Sequence, residues 1–343
     1  MKSLQDIVQH NCHISDAQYA GNYTLCIYLL KMREYFRWEK GYAFGQKLSN
    51  DEVGGWLTAR EALWDEVEEK DLAPLSIQGQ VFNPYHSKTI NDAIQDQGLV
   101  YSGGYGLHGK PVFFLAQLED VREFDDYTLY VSGTELSRDL AAPPGMAQDK
   151  CIYIRKQSLQ RFLWEKIEES QWHSQENPLA RALASYDFQQ QPDDSLNQMT
   201  NTEVDTIIHH EIGEIKAGQI LGEEWEVMLA NLPRSQAELM ARAVRDHIAD
   251  SLSTLPELIR NDHAPQIHFY FANLSSMRKV IFPSLMQAYT EWLESPNYSV
   301  LNKLVGRARQ HWIHIAQDML ILYRKHGADA SPYIESLIKS NYL

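Results

Sequence analysis

The spacing of apolar residues changes twice along this chain, and those changes restrict the fold more than any motif does. Up to about residue 70 they recur every three or four positions; from Pro74 to Ile154 they gather in short runs; beyond about residue 200 the helical spacing returns. Leu25, Tyr28, Leu29, Met32, Tyr35 and Phe36 predict one long helix over 16–40, and Trp56, Leu57, Ala62, Leu63 and Val67 a second over 50–70. Residues 75–77, 99–102, 111–116, 127–132 and 151–154 read as strands, with Gly103-Gly104-Tyr105-Gly106 as a tight hairpin turn and 157–172 as a further helix. Four helices are expected in the remainder, over 203–221, 235–259, 276–294 and 300–325. The fold class is therefore an α+β N-terminal domain over 1–173, with a small, mainly antiparallel sheet, followed by an all-α helical-bundle C-terminal domain over 201–343. The polar stretch 174–200, which includes Gln189-Gln190-Gln191-Pro192-Asp193-Asp194, is the expected linker.

Composition excludes several classes. A chain of 343 residues, 44% hydrophobic and 22% charged, is long enough for two cores. Its net charge of -15 argues against a nucleic-acid binder, which needs a basic face; Arg242, Arg245, Arg307 and Arg309 are expected to pair with surplus carboxylates instead. Cys12, Cys26 and Cys151 form no C-x-x-C pair, which suits a reducing compartment, and Cys26 reads as a buried small hydrophobe. No signal-peptide pattern opens the sequence and no run reaches the roughly 18 to 20 apolar residues of a membrane helix. The expectation is a cytoplasmic protein without membrane partners, its oligomeric state open.

One stretch reads as chemistry. In His209-His210-Glu211-Ile212-Gly213-Glu214, His210 and Glu214 are one helical turn apart on the same side, a spacing at which an imidazole and a carboxylate can grip one metal ion. Glu211 falls on the apolar stripe of that helix, where an ionised group is costly unless paired or metal-bound. Two other expected helices carry similar pairs, Asp246/Asp250 with His247, and His314/Asp318 with His311. Inward-facing carboxylates and histidines from separate helices are how bundles build metal centres. The expectation is a metal-dependent enzyme, hydrolytic or oxidative, acting on a small-molecule substrate. A divalent Mn, Fe or Zn would be held by His210, Glu214, Asp246, His247, Asp250, His311, His314 and Asp318 in some subset, with Glu211 as catalytic base or ligand. The alternative is a non-enzymatic cytosolic adaptor whose buried His–Glu pairs are structural. No G-x-S-x-G occurs, and no cysteine lies in a basic setting.

The run His210–Glu214 resembles the zincin metalloprotease motif H-E-x-x-H with its last residue changed to Glu, and Ile220 stands where the longer form has a third His. That resemblance implies a peptidase in which His210 and Glu214 hold zinc and Glu211 activates water. More broadly, Cys26-Ile-Tyr-Leu-Leu-Lys-Met-Arg-Glu34, Tyr105-Gly-Leu-His-Gly-Lys-Pro-Val-Phe-Phe-Leu115 and Ser137-Arg-Asp-Leu-Ala-Ala-Pro-Pro144, together with the 209–214 run, resemble a bacterial family of cytosolic proteins of unknown function. This second resemblance implies no activity.

Overall fold

The computed structural model describes residues 3–106, 109–148, 150–170, 176–295 and 297–343. Leu107 and His108 of the quoted Tyr105–Leu115 run, the last two residues of the helix expected over 157–172 and the first two of the expected linker therefore lie outside the described residues. The chain divides into two compact units, Met1–Glu168 with Phe188–Asn201, and Glu169–Asp187 with Thr202–Leu343.

The first unit begins with α1 (Leu4–Tyr19), α2 (Leu25–Lys40) and α3 (Asn50–Val67). The single helix expected over 16–40 is two helices. Gly21-Asn22, poor helix formers, fall at the break, and the chain is extended at Tyr23 and Thr24 before α2 restarts. Strands β1 (Leu75–Ile77) and β2 (Gln80–Phe82) make a small hairpin, and α4 (Ser87–Ile94) leads into the main sheet. That sheet comprises β3 (Leu99–Tyr105), β4 (Pro111–Glu123), β5 (Thr128–Arg138), β6 (Gly145–Gln148) and β7 (Cys151–Arg155), ordered β3-β4-β5-β7-β6. All its pairings are antiparallel except β5 with β7.

Side chains alternate across the sheet. Phe113 and Leu115 pack with Val8, Cys12, Ile90 and Ile94 on one face, whereas Phe114 and Ala116 join Tyr130 and Tyr153 on the other. Both faces are buried, which is why 111–116 reads as an unbroken apolar run. Cys26 is exposed, contrary to its reading as a core residue. Leu25, Ile27, Leu29 and Leu30 beside it are exposed as well, because the buried side of α2 is carried by Met32, Tyr35 and Phe36.

After α5 (Lys156–Ser170), the polar stretch read as a linker contains α6 (Pro178–Leu183) and the first turns of α7 (Pro192–Leu221). The second unit continues with α8 (Glu223–Asn231), α9 (Gln236–Ala249), α10 (Leu255–Asn261), α11 (Ala264–Asn273), α12 (Ser276–Ile281), α13 (Pro283–Glu294), α14 (Ser299–His326) and α15 (Ser331–Lys339). Helices pack around Trp225, Met240, Val244, Ile248, Phe271, Trp312 and Met319. The helix expected over 235–259 is interrupted by a π-helical turn at Asp250–Thr254, and the one over 276–294 breaks at Phe282 ahead of Pro283. No helix among the described residues is long and apolar enough to cross a membrane.

Candidate functional site

Gly213 explains how the polar residues of α7 and α9 come together. A Cβ at position 213 would stand 2.4 Å from the carbonyl oxygen of Ala249, so the two helices touch there with no side chain between them. One turn before it on α7 lies His210; one residue beyond Ala249 lies Asp250, the first residue of the π turn. Their contact follows from that crossing: His210 Nδ1 is 3.2 Å from Asp250 Oδ1. An ionised carboxylate only accepts hydrogen bonds, so in this contact the imidazole donates from Nδ1. The Asp250 side chain is buried (1% exposed) while His210 is one-third exposed.

Two further groups hold Asp250. The Tyr270 hydroxyl of α11 donates to its Oδ2 at 2.8 Å, and the Arg278 guanidinium of α12 forms an ion pair with the same oxygen. Arg278 also lies 3.9 Å from Asp246 and over the Tyr270 ring. Burial lowers the Arg278 pKa, opposed by the charges of Asp246 and Glu214. Glu214 faces Arg245, whose Nε is 2.9 Å from its Oε2, and Arg245 also bonds Glu226. The site is thus four carboxylates threaded by two guanidiniums, with one imidazole at its edge.

That donor set does not fit the expected metal centre. Both oxygens of Asp250 are committed to protein donors, and the positions a cation would take near Asp246, Asp250 and Glu214 already hold positive charge. Among the described residues no group of three or more His, Cys, Asp or Glu side chains could hold a metal ion. The zincin-like arrangement needs His210 and Glu214 to share an ion, but each turns to a different partner.

Comparison with known proteins agrees with the broader resemblance. The N-terminal domain profile of a family of unknown function, DUF6866, matches residues 3–155, and its C-terminal domain profile matches residues 160–341. The chain belongs to the DUF6866 family. No curated protein and no solved structure matches it.

In this DUF6866 chain the other predicted ligands are dispersed. His247 is a core residue: it stacks on Trp312 with ring centroids 5.4 Å apart, meets Phe282 edge-on, and donates from Nε2 to the Arg278 carbonyl at 3.1 Å. Burial, then the Arg278 charge, pushes its pKa well down, so it stays neutral and supports the backbone that carries Arg278. His311 donates to the Asn341 carbonyl at 2.8 Å and packs edge-on against Trp312. His314 and Asp318 are a surface pair 3.6 Å apart on α14. Glu211 is buried on α7, 8% exposed.

Sequence reasoning passes over Tyr270, Arg278 and Glu203. Glu203 lies two turns before His210 on α7, about 10 Å along the helix axis, near Thr206 and Gln266, which hydrogen-bond each other. Burial, partly offset by Thr206, raises its pKa to about 8. Its signal is in the sequence: a Glu in the opening turn expected of an amphipathic helix, one residue before Val204 on the buried side. The folded pKa exceeds the ordinary 4.5, so Glu203 supports stability below about pH 4.5 and that support is lost as pH rises toward 8. We expect Glu203→Gln to melt at the wild-type temperature at pH 4 and to be more stable at pH 8.5 by up to about 5 kcal/mol, since the pKa rises from 4.5 to about 8 and each tenfold change in proton affinity is worth about 1.4 kcal/mol. Thermal melts of both proteins across that range check the sign.

Proposed function

We propose that this protein is an enzyme whose C-terminal unit carries out general acid–base catalysis at His210, with Asp250 fixing the imidazole. The carrying observation is the 3.2 Å contact between His210 Nδ1 and the buried Asp250 carboxylate, while Nε2 lies on the partly exposed side chain. A carboxylate so placed selects the tautomer, orients the ring and stabilises the imidazolium that forms when Nε2 takes a proton. Arg278 and Tyr270 hold the Asp250 carboxylate in place. His210 is the catalytic residue of this reading; Asp250, Tyr270 and Arg278 position it. The reaction class is proton abstraction from water, a hydroxyl or an activated carbon in a small molecule.

Three measurements test this. Long-range 15N NMR should show the His210 ring protonated at Nδ1 in the wild type; a ring protonated at Nε2 overturns the proposal. A panel of ester, amide and phosphate-ester substrates should reveal turnover that falls about 10²–10⁴-fold in His210→Gln with the fold intact. Metal content should be the same in wild type and variant.

A second reading, the non-enzymatic interaction protein, is favoured by the exposed Leu25, Ile27, Leu29 and Leu30 on α2, because soluble chains seldom leave apolar side chains grouped in water. It stands if the substrate panel shows no His210-dependent turnover.

A further inference from the structure

A polar pocket in the first unit lies where the pairing of β4 with β5 is irregular. Ala116 pairs with Glu135 and Leu118 with Ser132, so Gly133 and Thr134 of β5 stand opposite the single residue Gln117 of β4. Such bulges bend a strand and re-aim its side chains, and they gather beside functional sites. Position 133 needs a glycine, because a Cβ there would overlap the Glu119 carboxylate that lies against it. Beside the bulge, Glu119 and Thr134 meet Lys156, Gln157 and Gln160 of α5 and Asn197 of α7 around a cavity of about 260 Å³.

The walls of this cavity hold one another in place. Lys156 donates to Glu119 Oε2 at 2.7 Å, the Glu135 N–H to Gln157 Oε1 at 2.7 Å, and Gln160 Nε2 to Asn197 Oδ1 at 2.6 Å. Each bond uses one end of a side chain and leaves the other. Gln157 Nε2 and Asn197 Nδ2 remain as donors, Gln160 Oε1 and Glu119 Oε1 as acceptors, and the Thr134 hydroxyl as either. None of these five has a hydrogen-bond partner among the described residues. Lys156 offsets the charge of Glu119, so the pocket carries no net charge to attract an ion. Side chains already fixed by their neighbours lose little further freedom when a ligand arrives.

We propose that this pocket binds a small neutral polyol the size of one sugar ring. A hydroxyl both donates and accepts, so a ring of hydroxyls matches walls that mix free donors with free acceptors. A flat heteroaromatic ligand would want apolar walls against its faces, whereas every side chain that lines this cavity is polar. The volume falls just below the roughly 300–1,000 Å³ of sites for drug-sized ligands, which leaves room for a single ring. The site is separate from His210 and does not depend on its role.

Isothermal titration of the full chain with D-glucose, D-galactose and D-ribose tests it, with tetrahydropyran-2-methanol, a ring bearing one hydroxyl, as control. Saturable millimolar binding of a sugar is expected, and added sodium chloride should leave it unchanged because no ligand charge is engaged. Thr134→Val and Asn197→Leu should each weaken it about threefold, and together about tenfold, since a neutral hydrogen bond is worth a factor of about two to ten. The sugar-free melting temperature should not change. Binding by one sugar alone supports the proposal and identifies the hydroxyl stereochemistry that the pocket reads. No saturable heat from any of the three up to about 50 mM, weaker than millimolar affinity, overturns it. So does equal heat from the control, or undiminished binding by the double variant.

Discussion

Gly213→Ala should destabilise the C-terminal unit by about 2–3 kcal/mol, and Gly218→Ala, five residues further along the same helix, should stabilise it by about 0.5–1 kcal/mol. Alanine normally improves a helix interior by roughly that second amount, because glycine has more backbone freedom to lose. At Gly218 nothing lies within 4 Å of the new Cβ, so the helix gain is all that changes. At Gly213 the Cβ would meet the backbone of Ala249, with the carbonyl oxygen at 2.4 Å and the carbonyl carbon at 2.8 Å. Backbone has no rotamer to retreat into, so α7 and α9 must separate, an overpacking cost of typically 1–3 kcal/mol or more. For a unit of this size the loss corresponds to a melting temperature lower by roughly 5–10 °C. Matched melting curves decide it; two shifts of the same sign would refute the account. Separation of the helices also draws His210 from Asp250, so the Nδ1 proton signal should change in Gly213→Ala and persist in Gly218→Ala.

Removing the guanidinium that anchors the site should cost more. Arg278→Met leaves the buried Asp250 with only His210 and Tyr270, and breaking a buried charge pair from one side typically costs about 3–5 kcal/mol. Most of that deficit is the isolated carboxylate rather than the lost attraction. Arg278→Met combined with Asp250→Asn should therefore recover a large part of the loss, because the double variant buries no unpaired charge. The single variant's deficit should also shrink at acid pH, where a proton can neutralise the carboxylate. Urea unfolding of both single variants and the double variant gives the coupling; additive effects would show that Arg278 acts through packing alone.

The order of elements is readable because it depends on period, which is a local property. The 3.6-residue stripe of α14 and the short strand runs survive translation into the fold. What local period cannot show is where a helix changes its winding. The π turn at Asp250–Thr254 is marked only by Pro256 just beyond it, which tells of a break but not of its winding, yet it sets which way Asp250 points. Arg278 is equally silent, on a six-residue helix too short to display a stripe. The run 209–214 reads as a possible metal grip, and His210 does meet an acidic residue from another helix. Its glycine, however, is explained by a helix crossing, and its Glu214 by an arginine far along the chain, Arg245. Candidate ligands sharing a helical spacing pose a question of partners, and partners are long-range. His247 and His311 illustrate this: both border apolar stripes, and both end against Trp312 with carbonyl acceptors.

The lone accessible thiol has a practical corollary. Cys12 and Cys151 are shut inside the first unit whereas Cys26 stands in the open, so a maleimide dye added to the native protein marks a single spot on α2. A reporter there stands among the exposed Leu25, Ile27, Leu29 and Leu30, so its emission would register anything that covers those side chains.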